Sequence, residues 1–298
     1  KRVQADRALY HTVMKKTLEH QSGLRLIQAE IVDFRVEGGR VRSVITRLGA
    51  EWKVKAAVIC TGTYLRGEVI IGEVQYPSGP DGMLPSEGLD RALLREGVTL
   101  QRFKTGTPPR VARDSIDFSQ LEVQEGDGYI VPFSTRSDEA ELNRIAQLPC
   151  HIVYTNAQTH EIIRQNLDRS PIYSGRIHGT GPRYCPSIED KVVRFADKPR
   201  HQLFIEPMGR DTEEMYIQGF SSSMPEEVQR QMLRSLPGFE NAVTMRSAYA
   251  IQYDCIDPQQ LEPTLEFRAI SGLYGAGQFN GSSGYEEAAA QGLVAGIN

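Results

Sequence analysis

Cysteine is scarce in this sequence, and none of its cysteines is close to another. The four cysteines, Cys60, Cys150, Cys185 and Cys255, are spread over 298 residues without a CxxC pair. This spacing argues against a structural zinc site and against a disulfide-stapled secreted fold, and it favours a reducing compartment. We therefore assign no metal, and we expect His151, His178 and His201 to be solvated or hydrogen-bonded.

Long apolar runs and an excess of positive charge are also absent. No segment reaches the ~18 apolar residues of a membrane span, and the opening KRVQADRALY lacks the apolar core of a signal peptide. With 34 basic and 38 acidic residues the net charge is −4, which gives no global attraction for nucleic acid. These features predict a cytoplasmic protein without membrane contact. Both ends of the sequence lack a polar tail, and we expect a fragment of a longer protein.

The first hundred residues carry the patterns of a helix followed by short strands. Val32, Phe34 and Val36 alternate before the Gly38-Gly39 turn, which predicts a β-hairpin or the start of a small meander. The apolar run from Ala56 to Cys60 predicts a fully buried parallel strand, with Cys60 as inert packing. Further predictions are a helix over 6–22, strands over 24–28, 41–46 and 52–54, an ordered loop over 67–88 and a short helix between Ser86 as its cap and Gly97.

Two glycine-containing turns are candidate ligand sites. Thr61-Gly62-Thr63 follows the predicted buried strand, and cofactor crevices open at such strand ends. The segment Lys104–Arg110 (KTGTPPR) predicts a rigid polar loop that either binds an anion or connects two domains. Its candidate substrate or anion contacts are Lys104, Thr105, Gly106, Thr107 and Arg110.

Residues 111 to about 265 predict a separate mixed α/β unit. Its expected elements are strands at 151–155, 202–206 and 215–218 and helices at 158–167 and 225–236. The last segment predicts a strand over 270–274, a tight turn over 275–278 and a helix over 285–297. The small residues of that helix would let it lie close to a sheet, and the turn would present backbone amides to a ligand. The alternative is an ordinary β-α packing unit.

The run GPRYCPSIED, from Gly181 to Asp190, places Cys185 in a rigid polar turn. Pro182 and Pro186 restrict the backbone on both sides of the cysteine, and Arg183 could stabilise its thiolate. The segment is therefore either a site for a reactive thiol or a well-ordered turn with an incidental cysteine.

Several motifs together resemble the glucose-inhibited division protein A family, also called MnmG. They are KTGTPPR (104–110), GPRYCPSIEDKVVRF (181–195), YAIQYD (249–254), GYEEAAAQG (284–292) and QADR (4–7). The likeness runs through the whole chain in the order of the family. It implies an α/β fold, in which an FAD-binding Rossmann-like domain of the glutathione-reductase type is interrupted by a mixed α/β inserted domain.

The resemblance also implies an activity. Members of the family are tRNA uridine 5-carboxymethylaminomethyl modification enzymes that use FAD and NADH, take a one-carbon unit from methylene-tetrahydrofolate and act with a GTPase partner, MnmE, as a homodimer within a heterotetramer. On this basis residues 1–110 and 266–298 would belong to the FAD-binding domain, and residues 111–265 would form an inserted NAD-binding and substrate domain. The glycine-rich fingerprint of the family and its helical C-terminal domain are missing, which predicts weak or no FAD binding by these residues alone.

Matching positions suggest roles for individual residues. Cys185 corresponds to the catalytic cysteine of the RYCPSIE motif, and Gln278 to a flavin-binding glutamine. The full implied FAD set is Ile31, Thr61, Gly62, Ser86, Gly277, Gln278, Asn280 and Gly281. The implied NAD set is Gly181, Pro182, Arg183, Tyr184, Cys185, Pro186, Ser187, Ile188, Glu189, Asp190, Lys191, Val192, Val193, Arg194 and Phe195.

The sequence departs from the family at a few positions, and other functions stay open. Ser78–Gly82 stands where the family usually has GGRAG, which removes an arginine from a loop beside the flavin. One alternative is a folate- and FAD-dependent tRNA uracil C5-methyltransferase, which the long GPRYCPSIED region disfavours. Another is a flavin-containing RNA-binding scaffold, in which Arg102, Lys104, Arg110, Arg183 and Arg194 would contact phosphates.

Overall fold

The structure, a computed structural model, describes residues 4–181 and 186–298. These residues form two compact units. Unit 1 contains residues 4–26, 107–167 and 187–248, and unit 2 contains residues 27–106, 168–181, 186 and 249–298. The chain therefore enters and leaves each unit more than once. The domain boundaries expected at residues 110 and 265 refer to cofactor-binding domains, and they stay a prediction.

Helices and strands alternate irregularly along the chain. The helices are α1 (Arg7–Glu19), α2 (Leu89–Arg95), α3 (Glu139–Leu142), α4 (Ala157–Gln165), α5 (Ile188–Arg194), α6 (Glu226–Arg234) and α7 (Tyr285–Ile297). The strands are β1 (Ile31–Glu37), β2 (Arg40–Thr46), β3 (Glu51–Lys53), β4 (Ala57–Ile59), β5 (Glu68–Ile71), β6 (Val74–Pro77), β7 (Leu100–Thr107), β8 (Arg110–Ala112), β9 (Glu122–Gln124), β10 (Cys150–Tyr154), β11 (Gln202–Pro207), β12 (Glu214–Gln218), β13 (Thr244–Arg246), β14 (Tyr249–Ile256), β15 (Glu266–Phe267) and β16 (Ile270–Gly275).

Unit 2 contains two sheets. The first runs in the order β1-β2-β16-β15, with β3 paired to β2 and β4 paired to β16. The β4–β16 pair is parallel, with Gly275 opposite Ile59, so the two strands end at the same edge of the sheet. The second sheet has the order β6-β5-β14-β7. A core that includes Phe34, Leu93 and Phe279 holds these elements together.

Unit 1 is built on one antiparallel sheet in the order β13-β8-β12-β11-β10-β9. Helix α6 of this unit buries one apolar side, because Val228 and Met232 are four residues apart and form one buried apolar stripe. Ile188 of α5 and Ile217 of β12 belong to the same core and are fully buried. Proline and glycine lie at the two ends of α6: Pro225 is its N-cap, and Gly238 follows its end with a positive φ of 78°.

Most of the predicted elements are confirmed. The hairpin around Gly38-Gly39 is the pair β1–β2, and the third predicted strand is β3. The strands predicted in the mixed unit are β10, β11 and β12, and its two helices are α4 and α6. The helix predicted over 285–297 is α7, and its Ala288 Cβ lies 3.4 Å from the Cβ position of Gly277 in the turn after β16.

Four predictions of secondary structure or helix capping were wrong. The segment 24–28 forms no strand, because no neighbouring strand pairs with it. The expected loop over 67–88 contains the β5–β6 hairpin, because Gly72, with a positive φ of 53°, allows a tight turn. Ser86 does not cap α2: Gly88 is the N-cap, and its N–H donates to Asp90 Oδ1 at 2.9 Å. Most of the segment 104–110 lies in β7 and β8, so it is not a loop.

The environment of β4 also differs from the prediction. We expected a fully buried strand, yet Val58 is 42% exposed and Cys60 is exposed. Among the residues that the structure describes, β4 pairs only with β16. A strand with a single ladder partner leaves one edge uncovered, which accounts for the exposure. None of the helices in the described residues is long and apolar enough to cross a membrane.

Candidate functional site

The ends of two parallel strands bring four of the predicted flavin residues to one edge of the unit 2 sheet. The N–H of Ala276, just after β16, donates to the carbonyl of Ile59 at 3.0 Å. Thr61 and Gly62 therefore follow β4 at the same edge at which Gly277 and Gln278 follow β16. Gly62 and Gly277 have φ values of 57° and 74°, which other residues adopt only with strain. Such a strand edge is where α/β sheets bind cofactors.

Three side chains at these strand ends carry buried polar atoms without a partner. Thr61 Oγ1, Asn280 Oδ1 and Ser282 Oγ are inaccessible to solvent and make no hydrogen bond with the described residues. Asn280 uses its amide N–H groups on the Gly275 carbonyl at 2.8 Å and on Gln291 Oε1 at 3.0 Å, which leaves its oxygen unpaired.

An unsatisfied buried polar atom costs about 1–3 kcal/mol, so three at one edge favour a polar ligand that completes them. The hydroxyl groups of Thr61 and Ser282 donate and accept hydrogen bonds, and Asn280 Oδ1 accepts. This set of groups fits a cofactor that is rich in hydroxyls and phosphates. Sequence reasoning included Thr61 and Asn280 but missed Ser282, whose only signal was a hydroxyl in the glycine-rich turn.

Gln278 lies against an aromatic pair from the second sheet of unit 2. Its Nε2 is 3.5 Å from the hydroxyl of Tyr253, which is fully buried on β14. The rings of Tyr253 and Phe103 meet edge to face, with centroids 6.5 Å apart. Gly281 adopts a φ of 82°, and its Cβ position is 3.6 Å from the Phe103 ring. Strands β7 and β14 thus support the turn that carries Gln278, Asn280 and Gly281.

Ser86 lies beside the turn that follows β4. Its N–H donates to the Tyr64 carbonyl at 2.8 Å, and its own carbonyl accepts from the Arg66 N–H at 2.9 Å. Ile31, at the start of β1, is half-buried. The Cβ position of Gly88 is 3.1 Å from Val32, so the start of β1 adjoins the segment that contains Ser86.

The predicted anion contacts do not form one loop. Lys104 is only 8% exposed in β7 of unit 2, where its neighbour is Gly181, and Thr105 and Gly106 follow it in the same strand. Thr107 and Arg110 belong to unit 1, where Arg110 Nη1 donates to Thr107 Oγ1 at 2.7 Å and to the Pro108 carbonyl at 2.9 Å. The Arg110 guanidinium also lies over the Tyr216 ring, 5.3 Å from its centroid. These contacts brace the Pro108-Pro109 turn.

The predicted nicotinamide segment divides between the two units. Pro182, Arg183, Tyr184 and Cys185 lie outside the described residues. Downstream of them, Ser187 Oγ caps α5 by accepting the Asp190 N–H at 3.2 Å. Ile188, Glu189, Asp190 and Val192 are buried in unit 1, whereas Val193, Arg194 and Phe195 are exposed.

Glu189 is the most deeply buried charged side chain in the described part of that segment, with 0% exposure. Its Oε1 accepts the Ser222 hydroxyl at 2.8 Å and the Ser223 N–H at 3.0 Å. Its Oε2 and the hydroxyl of Ser223 have no hydrogen-bond partner among the described residues. Together with the bond from the Ile188 N–H to the Ser221 carbonyl at 2.8 Å, these contacts fasten the start of α5 to the segment 221–223.

Two of the described cysteines, Cys60 and Cys255, are not activated thiols. Burial raises the pKa of Cys255 to about 12, and the neighbouring Asp254 contributes. Cys60 is exposed, contrary to the prediction, but desolvation still raises the pKa of its thiol above the ordinary value. Cys150 is buried and donates to Gln4 Oε1 at 2.9 Å. A raised pKa keeps a thiol in its protonated, unreactive form.

Arg102 is engaged inside unit 2. Its guanidinium donates to Asp254 Oδ1 at 3.0 Å, to Glu68 Oε2 at 2.5 Å and to the Arg66 carbonyl at 2.7 Å. Burial raises the pKa of Asp254, although Arg66 and Arg102 both oppose this. Arg102 therefore balances a buried carboxylate. Within residues 4–181 and 186–298, no group of three or more acidic, cysteine or histidine side chains is arranged to hold a metal ion.

Comparison with known proteins gives matches over the whole chain. The family described as Glucose inhibited division protein A matches residues 1–298. The chain is 58% identical to the tRNA uridine 5-carboxymethylaminomethyl modification enzyme MnmG of Caldicellulosiruptor saccharolyticus and 57% identical to the MnmG of Clostridium botulinum. Each alignment covers 100% of this chain and 47% of the relative, so the chain spans about half the length of these relatives.

The likeness extends to three-dimensional structure. GidA of Aquifex aeolicus, in its form I crystal, superimposes with a TM-score of 0.91 at 51% identity, over 99% of this chain and 50% of that one. This match confirms the predicted fold class, a Rossmann-like α/β domain interrupted by a mixed α/β unit. The strand-end site, the fold and the match over every residue lead to one conclusion: the chain belongs to the glucose-inhibited division protein A family.

Proposed function

We propose that the protein containing this chain is an FAD- and NADH-dependent tRNA modification enzyme. It installs the carboxymethylaminomethyl or aminomethyl group at C5 of the wobble uridine. The observation that carries this proposal is the match over the full chain, at 58% identity, to a relative named for that reaction.

The residues at the strand ends of unit 2 fit FAD. Thr61, Asn280 and Ser282 offer buried polar atoms that lack partners, and Gly62 and Gly277 leave the backbone uncovered by side chains. Together with Gln278 and Gly281, they would hold the cofactor. When bound, FAD supplies hydride transfer between NADH and the one-carbon unit of methylene-tetrahydrofolate.

NADH would bind along Gly181–Phe195. The buried helix start in unit 1 anchors the downstream half of this segment, and the exposed Arg194 and Phe195 are available to a ligand. Lys104 would contribute positive charge beside Gly181, where a phosphate or a carboxylate of a ligand would be stabilised.

Cys185 would supply the chemistry at the uracil ring. A thiolate that adds to C6 forms a C–S bond and places the electron pair at C5, which can then attack an electrophilic carbon. Loss of the C5 proton to a base, followed by departure of the thiolate, restores the ring. Arg183 would favour this reaction by lowering the pKa of the thiol. A role for Cys185 in acid-base chemistry is the alternative.

We extend the proposal to the assembly. The enzyme would act in the cytoplasm as a homodimer, joined by the GTPase MnmE in a heterotetramer, with tRNA as substrate. The support is again membership of the family.

The test uses the full-length gene product that contains this sequence, expressed in a bacterium that lacks its own enzyme. Mass spectrometry of tRNA nucleosides should show the modified wobble uridine with the wild-type protein and less than 1% of it with Cys185→Ser. Cys60→Ser, a change at an exposed cysteine outside the proposed chemistry, should retain activity. Full modification by Cys185→Ser would refute the role of Cys185.

Two other experimental results would each point to a different function. Formation of 5-methyluridine would identify a folate-dependent methyltransferase. In stopped-flow absorption, a bound flavin that NADH does not bleach would identify an RNA-binding scaffold.

A further inference from the structure

The four residues His178–Gly181 lie against β7 and β14 of unit 2. The N–H of Thr180 donates to the Arg102 carbonyl at 2.9 Å, and the N–H of Lys104 donates to the Thr180 carbonyl at 3.0 Å. This pairs Thr180 with Phe103 of β7 in a parallel bridge. The segment that leads into the proposed nicotinamide site is therefore fixed to the edge of a sheet.

One buried side chain supplies the second attachment. Gln252 of β14 is 3% exposed, and its Oε1 accepts the N–H of His178 at 3.1 Å and the N–H of Gly179 at 3.0 Å. Two consecutive backbone donors thus converge on a single side-chain oxygen. If that oxygen were removed, both N–H groups would lose this partner at once, and the segment would lose its side-chain attachment to β14.

Glycine is required for this close approach. A Cβ atom on Gly179 would be 2.7 Å from the carbonyl carbon of Phe103, a distance that real Cβ atoms do not reach. A Cβ atom on Gly181 would be 3.1 Å from Cε of Lys104. The segment therefore has little room to shift toward β7. Gln252 holds it from β14, in a close approach to β7 that is possible because residues 179 and 181 are glycines.

The neighbour of Gln252 faces the other part of the site. Side chains alternate along a strand, so Tyr253 points to the opposite face of β14. There it contacts the Phe103 ring and approaches Gln278 of the proposed flavin site. Consecutive residues of one strand therefore contact the residues that lead into the proposed nicotinamide segment and the turn of the proposed flavin site.

We infer that Gln252 is a positioning residue for NADH use: it holds the backbone of His178–Gly181 so that Gly181 lies beside Lys104. The inference rests on the proposed function, because it takes Gly181 as the start of the nicotinamide segment. Gln252 acts through the backbone and touches no reacting atom. Its removal should therefore weaken NADH binding much more than it slows the hydride step.

A second buried glutamine provides a matched control. Gln229 of α6 is also 3% exposed, and its side chain bonds to the Met224 carbonyl at 2.7 Å and to the Ala248 backbone N–H at 2.8 Å. It lies in unit 1 and braces only unit 1. Gln252→Leu and Gln229→Leu remove comparable buried amides, and only the first removes the anchor of 178–179.

The experiment measures NADH oxidation by the full-length, FAD-loaded protein. Gln252→Leu should raise KM for NADH about tenfold, with kcat within threefold of wild type, because a lost anchor of this kind corresponds to roughly one tenfold step. Gln252→Glu, whose carboxylate can accept the same two N–H groups, should restore KM to within threefold. Gln229→Leu should leave KM unchanged even where it lowers the melting temperature. Gln252→Asn, which withdraws the acceptor by one methylene, gives the same test if Gln252→Leu does not fold.

Hydrogen exchange of the peptide containing residues 178–181 provides a readout that does not depend on NADH. Exchange there should accelerate in Gln252→Leu and Gln252→Asn and stay slow in Gln252→Glu. Equal effects of Gln252→Leu and Gln229→Leu on KM, or unchanged exchange at 178–181, would overturn the inference. A wild-type flavin that NADH does not reduce would refute the proposed function, and the inference with it, before any variant is compared.

Discussion

The side chain of Lys104 lies directly against the backbone of Gly181, with its Cε atom 3.1 Å from the position of a Cβ atom on residue 181. Lys104 is only 8% exposed, so its side chain is surrounded by protein atoms and has little room to move away. The two residues are far apart in the sequence. Lys104 belongs to the segment of candidate anion contacts, and Gly181 begins the proposed nicotinamide segment. Their contact makes the space at residue 181 a sensitive test of the site.

We expect Gly181→Ala to displace Lys104 by a few tenths of an ångström and to raise KM for NADH several-fold in the full-length enzyme. The added methyl group meets the Lys104 side chain, and a well-packed neighbour yields at a cost in free energy. Gly128→Ala is the matched control, because a Cβ there meets nothing within 4 Å. In a Lys104→Ala background, Gly181→Ala should have no further effect on KM, since contacting residues are not additive. Additive effects of the two changes would contradict this account.

Glu189 should be essential for the stability of unit 1. Glu189→Ala would remove the acceptor of the Ser222 hydroxyl and of the Ser223 N–H and leave a cavity, at a cost of about 2–4 kcal/mol in the free energy of unfolding. Glu189→Gln keeps a carbonyl oxygen in place and should lose less. Urea denaturation followed by circular dichroism measures both changes. Glu161→Ala, at an exposed position on α4, should change the unfolding free energy by less than about 0.5 kcal/mol, and a similar loss there would argue against a special role for Glu189.

Local chemistry made much of the fold predictable. The glycine pair at 38–39 specified the β1–β2 hairpin, since positive φ values are needed there. The strand, turn and small-residue helix over 270–297 were also predicted correctly, because a glycine with a positive φ value marks the turn there too. The rule that ligands bind where parallel strands end pointed to Thr61, whereas Gln278 came from the resemblance to the family, and their roles stay predictions.

The remaining features depend on partners that are distant in the sequence. Glycine, threonine and proline in Lys104–Arg110 predicted a loop, but pairing of β7 with β14 and of β8 with β12 outweighs that local tendency. The run Ser187–Asp190 (SIED) gave no sign that Glu189 would be buried, since the partners of Glu189 are 33 and 34 residues away. The bonds from Gln252 to residues 178 and 179 span more than seventy residues, and no local pattern reports them.

Two histidines should make unit 1 sensitive to acid. His160 and His201 pack with ring centroids 5.3 Å apart, and burial lowers the pKa of each. The positive charge of His201 and Arg164 lowers the pKa of His160 further, and that of Lys191 lowers the pKa of His201. In the unfolded chain each would titrate near the ordinary value of 6.5. The unfolded state therefore binds more protons below that pH, so stability is full above about 6.5 and falls as the pH drops toward the folded pKa values.

The urea midpoint measured between pH 7.5 and 5 checks this expectation. His160→Gln keeps a polar atom near the Thr155 hydroxyl, which lies 2.8 Å from His160 Nε2, and it should flatten the pH dependence. His11→Gln, on the exposed face of α1, should leave the slope as in the wild type. An equal slope in all three proteins would show that other groups control the acid response.

The cysteines should differ sharply in their reaction with iodoacetamide at pH 8. Cys255 should stay unmodified in the folded protein, because its pKa of about 12 leaves almost no thiolate and its side chain is buried. Cys60 should react slowly and faster as the pH rises, since it is exposed but its pKa is raised. Cys185 should react fastest if it is the proposed nucleophile, because that role requires a thiolate near neutral pH. Peptide mass spectrometry over a time course separates the rates, with urea-unfolded protein as the reference in which all four thiols become equivalent. A Cys185 that reacts no faster than Cys60 would count against a nucleophilic role for it, while leaving the assignment to the family intact.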